Sequence, residues 1–229
     1  KTLVGETSGT FYYTVKDSAG KYYTADGTAT DGISVVTLSY ANGNGKAVVS
    51  NLTPGKYTVA EVADDKGTAI ETSFGYTVTG GGDVTVTKAS TAETNFTNTK
   101  KGSLLVTKDV KENGEIVNLA KAGTYYFTLT GTGYSEQKSI TVAAGKSSGT
   151  VEFTDLVPGS YTLKEVNEDG SVYVDSAVNV SGEGAVTITA GTQSTSTITN
   201  DKTVKGALQI NKTLVGETSG TFYYTVKDS

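Results

Sequence analysis

Two twelve-residue stretches, NLTPGKYTVAEV at 51–62 and DLVPGSYTLKEV at 155–166, repeat one pattern 104 residues apart (155 minus 51). Self-similarity at the length of an ordinary domain means that one fold is built more than once. The flanking segments agree. TFYYTV at 10–15 matches TYYFTL at 124–129, GSLLVTKDV at 102–110 matches GALQINKTL at 206–214, and ETNFTNTKKG at 93–102 loosely matches STITNDKTVKG at 196–206. The opening KTLVGETSGTFYYTVKDS of residues 1–18 returns letter for letter at 212–229, which sets a longer period of 211 residues (212 minus 1). The expected organisation is one unit over 1–100 and a second over 101–205, followed by the opening strands of a third, incomplete unit over 206–229. The first unit has a truncated first strand: it lacks the residues that stand before its lysine at 206–211.

Each unit reads as strands. SVVTLSY, KAVVSNL, KYTVAEV, FGYTVTG and DVTVTK alternate apolar and polar residues, and turns such as NGNG, PG, GGGD and EDG separate them. The chain holds 28 Gly but only two Pro, as tight turns between β-branched strands require. No stretch keeps a helical period. The predicted class is all-β: tandem antiparallel sandwiches of immunoglobulin-like type. The linkers (Thr99 to Lys101, and Asp201 to Lys205) are short and not Gly/Ser-rich, so a stiff string is expected.

Composition removes most chemistry. The 229 residues include no Cys, His, Met or Trp, and every cation is Lys. A disulfide framework, a thiolate nucleophile and a Ser-His-Asp triad are excluded. No cofactor or metal site is expected. The acidic turns DDKG at 64–67 and NEDG at 167–170 lack the ligand spacing of a calcium loop, and TGTGYS at 130–135 has no helix to open as a phosphate loop. A net charge of −5 without basic clusters argues against nucleic acid and against a polybasic membrane anchor. No apolar run is long enough to span a bilayer, so no membrane insertion is expected.

One anomaly survives. Alternate residues of a strand share a face. Leu104, Val106, Lys108 and Val110 therefore face together, as do Leu208, Ile210, Lys212 and Leu214. Tyr57, Val59 and Glu61 repeat the oddity with an acid, as do Tyr161, Leu163 and Glu165; Phe96 with Asn98 and Ile198 with Asn200 repeat it with an amide. Each unit thus writes a Lys, a Glu and an Asn onto its core face: Lys1, Glu61 and Asn98 in the first, Lys108, Glu165 and Asn200 in the second. Burial disfavours the charged forms of Lys and Glu. A neutral amine is a nucleophile, and a protonated Glu can polarise the Asn carbonyl and shuttle protons. The products are a Lys–Asn isopeptide bond and ammonia, formed without a cofactor because folding supplies proximity. An ordinary surface salt bridge, or a lysine that snorkels out of the core, is the competing reading. Three polar positions repeated at nearly equal spacing weigh against it.

These residues resemble the Cna-B-type domains of Gram-positive surface proteins. The resemblance rests on the first-strand Lys, on Tyr-x-Val-x-Glu-Val (57–62) and Tyr-x-Leu-x-Glu-Val (161–166) after a PG turn, and on the closing Phe-x-Asn-x-Lys (96–100) and Ile-x-Asn-x-Lys (198–202). It implies inverse immunoglobulin-like sandwiches with autocatalytic Lys–Asn bonds: Lys1 to Asn98 promoted by Glu61, and Lys108 to Asn200 promoted by Glu165. Lys212 is a third such lysine, without a Glu and Asn to use it.

The expected function is structural. The chain would be a stalk repeat of an extracellular adhesin anchored to the cell wall of a Gram-positive bacterium. Its partners would be adjacent repeats and a distal adhesive domain. The alternatives are the shaft subunit of a sortase-assembled pilus, and a module that itself binds host matrix such as collagen. An enzyme acting on an external substrate is not expected. Of the Tyr-rich runs, Phe11, Tyr13 and Val15 are assigned to the core with Tyr125, Phe127 and Leu129, while Tyr12 and Tyr126 face outward.

Overall fold

The computed structural model describes residues 1–216 and 218–227 and contains eighteen strands and no helix among them. The first nine are β1 (Thr2–Val4), β2 (Ser8–Asp17), β3 (Tyr22–Tyr23), β4 (Ala29–Thr30), β5 (Val36–Ala41), β6 (Gly55–Val62), β7 (Tyr76–Gly80), β8 (Gly82–Val86) and β9 (Phe96–Lys100). The rest are β10 (Gly102–Glu112), β11 (Glu115–Ile116), β12 (Gly123–Gly131), β13 (Tyr134–Val142), β14 (Ser148–Leu156), β15 (Gly159–Val166), β16 (Val178–Ser181), β17 (Gly184–Ile188) and β18 (Gln193–Lys202).

The named strands pair within these two sets and make two sandwiches. In the first, the sheet β1-β9-β7 faces the sheet β4-β3-β2-β6-β8, to which β5 adds along β2. In the second, β11-β10-β18-β16, with β14 on β10, faces β13-β12-β15-β17. Period-two burial drives the packing. Alternate residues of β10 are buried from Gly102 to Val110, and β5 alternates buried and exposed throughout. Leu104, Val106, Phe127, Leu129, Phe153, Leu163 and Ile198 are all fully buried in the second core. The first core is smaller: Leu3, Phe11, Tyr13, Leu38, Tyr40 and Phe96.

Most ladders are antiparallel, but each sandwich carries one parallel pair, and it joins the first strand to the last: β1 to β9 and β10 to β18. The two sandwiches share local devices. Tyr57 and Tyr161 each donate a hydroxyl hydrogen bond of 2.8 Å to the carbonyl four residues back, across the PG turn. Gly80 (φ 99°) and Gly182 (φ 89°) sit where a Cβ would lie 1.9 Å from the carbonyl oxygens of Asn95 and Thr197, so only glycine admits the close approach of the last strand.

The strands absorb Thr99 and Lys100, leaving Lys101 alone between β9 and β10. Its N–H donates to Gly75 O at 2.9 Å, that of Ser103 donates to Thr192 O at 3.1 Å, and that of Gly191 donates to Lys100 O at 3.3 Å. Gly5 and Gly191 meet backbone to backbone at this junction.

Three expectations need correction. KAVVSNL (46–52) forms no strand, although its counterpart is β14: it has no ladder partner, and Ser50 donates its N–H to Ala25 O at 3.0 Å. The GALQINKTL stripe is likewise not a strand: 206–214 has no ladder partner, and Leu208 and Ile210 are exposed. Tyr12 and Tyr126 are half-buried instead of facing freely outward.

Candidate functional site

Lys108 stands in the middle of β10 and has no exposed surface, although it is among the largest side chains buried in the protein. Nothing in strand geometry lets it escape, because Leu104, Val106 and Val110 hold its face against the opposite sheet. Glu165 enters from that opposite sheet on β15, paired in register with Phe127. Asn200 enters from β18. The parallel register puts Lys108 across from Ile198 and Val110 across from Asn200, so Lys and Asn lie diagonally on one face of adjacent strands.

One carboxylate joins all three. Lys108 Nζ donates to Glu165 Oε2 at 2.7 Å, and Asn200 Nδ2 donates to Glu165 Oε1 at 2.8 Å. Glu165 and Asn200 are buried too. Asn200 Oδ1 is buried without a hydrogen-bond partner. The ammonium lies 4.8 Å from the Tyr125 ring centroid and 5.9 Å from that of Phe127, which keep water away and offer weak cation–π attraction.

The first sandwich repeats this arrangement. Lys1 Nζ donates to Glu61 Oε2 at 2.7 Å, Asn98 Nδ2 donates to Glu61 Oε1, and Asn98 Oδ1 is again buried and unpartnered. Leu3 pairs with Asn98 in β1–β9, so the lysine sits two residues before the Asn-paired position in both sandwiches. Here Phe11 and Tyr13 form the aromatic wall, 4.0 and 5.7 Å from Lys1 Nζ. The structure thus brings together all six residues picked out in the two triads. Lys212 is exposed and joins neither.

Burial pushes the pKa of Lys108 and of Lys1 below the usual lysine range, against the opposing pull of the neighbouring glutamates. Desolvation outweighs the counter-charge in both. Burial, and next the Glu61 charge, pushes the Tyr13 phenol up.

The two sites differ in one residue that the sequence pattern did not single out. Glu183 Oε1 accepts the backbone N–H of Glu165 at 2.7 Å, and its charge also acts on Lys108. The matching position of the first sandwich is Gly81, where a Cβ would lie 2.5 Å from the Phe96 ring. Aligning the two GG/GE turns is the one sequence signal that could have exposed this difference.

Chemically, the arrangement places an amine, an acid and a carboxamide within one water-poor space. No protein-family model and no curated protein matches the chain. Among solved structures, it is similar to the minor pilin of Streptococcus agalactiae (16% identity over 89% of this chain and 87% of that one, TM-score 0.34). It is also similar to a streptococcal ancillary pilin (19% identity, 87% of this chain and 61% of that one, TM-score 0.36). A third likeness is to the major pilin of Streptococcus pyogenes (17% identity, 89% and 94%, TM-score 0.28). These superpositions are loose, and the functional reading below rests on the two triads.

Proposed function

We propose that residues 1–100 and 101–205 are two stalk domains of a Gram-positive cell-surface protein, each closed by a Lys–Asn isopeptide bond that it forms by itself. The observation that carries this reading is the duplicated burial of a Lys and an Asn, from adjacent first and last strands, on the two oxygens of one glutamate.

The chemistry follows from the geometry. A proton passes from Lys108 Nζ to Glu165 Oε2, giving a neutral amine beside a carboxylic acid. The amine attacks Asn200 Cγ, and negative charge develops on Oδ1. Glu165 then protonates Nδ2, the Cγ–Nδ2 bond breaks and ammonia leaves. The surplus ammonium proton departs with it, and Glu165 is again a carboxylate. Lys–NH3⁺ and the carboxamide become a secondary amide and ammonium. The same steps apply to Lys1, Glu61 and Asn98.

The consequence is mechanical. The bonded strands are parallel neighbours, so pulling at the two ends of a sandwich loads them in shear. A bond between Lys108 and Asn200 carries that load directly, and the strands between them are never stretched. An amide also withstands reduction, in keeping with a chain without cysteine. The deciding experiment is the intact mass of the purified chain. Loss of two ammonia from the sequence mass, with branched peptides joining Lys1 to Asn98 and Lys108 to Asn200, is expected. A mass equal to that of the unmodified sequence refutes the cross-links and with them the mechanism of the stalk.

A further inference from the structure

Glu165 stands where one of its two ladders has ended. On one side β15 pairs with β12 as far as Val166, with Glu165 opposite Phe127. On the other side the ladder to β17 stops at the Leu163–Gly184 pair, two residues earlier. The Glu165 N–H therefore finds a side chain and not a strand: Glu183 Oε1 accepts it at 2.7 Å. A hydrogen bond to a carboxylate is about twice as strong as one between neutral groups.

The turn explains how Glu183 gets there. Residues 182 and 183 join β16 to β17, and Gly182 (φ 89°) and Gly184 (φ 127°) flank Glu183. These two positive φ values bend the chain so that the Glu183 side chain reaches back over the end of β15. Glu183 is exposed, and among the described residues it has no salt-bridge partner. Its carboxylate is instead bonded to the backbone of the residue that holds the amine and the amide.

That backbone has to stay in place. Glu165 holds Lys108 Nζ at 2.7 Å with one oxygen and Asn200 Nδ2 at 2.8 Å with the other. A shift of its main chain disturbs both contacts at once, and a misplacement of about 1 Å can cost on the order of 100-fold in rate. The first sandwich has no such anchor. Its ladder from β6 to β8 also stops two residues short of the acid, at Val59–Gly82, and Gly81 has no side chain to offer Glu61. We infer that Glu183 is a positioning residue for the Lys108–Asn200 bond: its carboxylate oxygen stands in for the missing strand beside Glu165 and keeps that acid aligned between amine and amide. The inference rests on the cross-linking reaction proposed above. It makes closure of the second sandwich depend on a residue outside the triad, and closure of the first does not.

The hydrogen bond and the charge of Glu183 act in opposite directions. Burial lowers the Lys108 pKa, while the charges of Glu165, Asp109 and Glu183 oppose this and favour the ammonium. Glutamine at 183 keeps the acceptor and drops the charge. Aspartate keeps the charge but is one methylene too short to reach, and alanine loses both.

The full chain made by cell-free synthesis and sampled over time tests this, with the branched peptides Lys1–Asn98 and Lys108–Asn200 quantified by mass. Amide exchange in β12 shows that the second sandwich is folded before it is linked. Glu183→Ala and Glu183→Asp should form the Lys108–Asn200 peptide at least about tenfold more slowly, as expected for the loss of one charge-assisted hydrogen bond. The Lys1–Asn98 peptide of the same molecules should keep the wild-type rate. Glu183→Gln should link the second sandwich at least as fast as the wild type. Should alanine leave β12 unprotected, the aspartate and glutamine variants decide. Wild-type linking in Glu183→Asp overturns the inference, as does equal slowing of both peptides, or a Glu183→Gln as slow as Glu183→Asp. A wild-type chain that forms neither peptide refutes the cross-links themselves, a failure visible before any variant is compared.

Discussion

Glu165→Gln isolates the proton shuttle from the packing around it. The side chain keeps its volume and can still accept from Lys108, but it cannot take up and return a proton. The Lys108–Asn200 bond should therefore not form, and the variant should weigh one ammonia more than the wild type after allowing for the substitution. The stability cost can be worked from the loop that the bond closes. Lys108 and Asn200 are 92 residues apart (200 minus 108), and the chain-entropy relation for a cross-link gives about 4.6 kcal/mol at 25 °C. A domain of this size loses roughly 4–8 °C of melting temperature per kcal/mol. The second sandwich should thus melt about 20–35 °C lower, while the transition of the first stays in place because its triad shares no residue with the second. Calorimetry combined with intact mass reads both effects. A variant that still loses ammonia from the second sandwich would refute the shuttle. One that stays unlinked and melts with the wild type would refute the stabilising role of the bond.

Asn200→Ala retains the Lys108–Glu165 pair but cannot cross-link. Because burial lowers the Lys108 pKa from 10.5, the unfolded chain binds more protons than the folded one between the lowered value and 10.5. Stability should rise with pH across that window, and urea midpoints should show a slope that Lys108→Met/Asn200→Ala lacks; a flat or falling difference contradicts the assignment. Tyr13→Phe removes a buried hydroxyl that has no partner and copies Phe127, which faces Glu165 as Tyr13 faces Glu61. It should stabilise the first sandwich by about 1 kcal/mol in denaturant unfolding, and a loss of stability would show that the hydroxyl serves the site. Gly191→Val places a Cβ 2.2 Å from Gly5 O at a residue with φ 67°. It should cost about 1–3 kcal/mol of local strain and speed tryptic cleavage at Lys101; unchanged cleavage would mean that the junction does not stiffen the linker.

The triads were legible because two independent regularities met. Alternation assigns each strand residue to a face, and the repeat shows the same polar exception twice, so Lys108, Glu165 and Asn200 stood out without coordinates. Glu183 did not, since it reaches the site from a turn through a backbone N–H, and no periodicity encodes that contact. KAVVSNL looked like a strand because its residues favour one, yet a strand exists only when its backbone groups find a partner. The same six-letter pattern forms a buried strand at 102–107 and an exposed segment at 206–211 for that reason.

By itself the sequence determined the all-β class, the duplicated unit, the absence of thiol and imidazole chemistry, and the residues that break the apolar stripe. These are local properties, written in side-chain type and period. Only the tertiary structure decided that the first and last strands run parallel and adjacent, and that one carboxylate bridges Lys and Asn across the sandwich. Each depends on which backbone edges meet. Hydrogen-bond pairing between distant strands is set by the burial of the whole core, and no single strand contains that information.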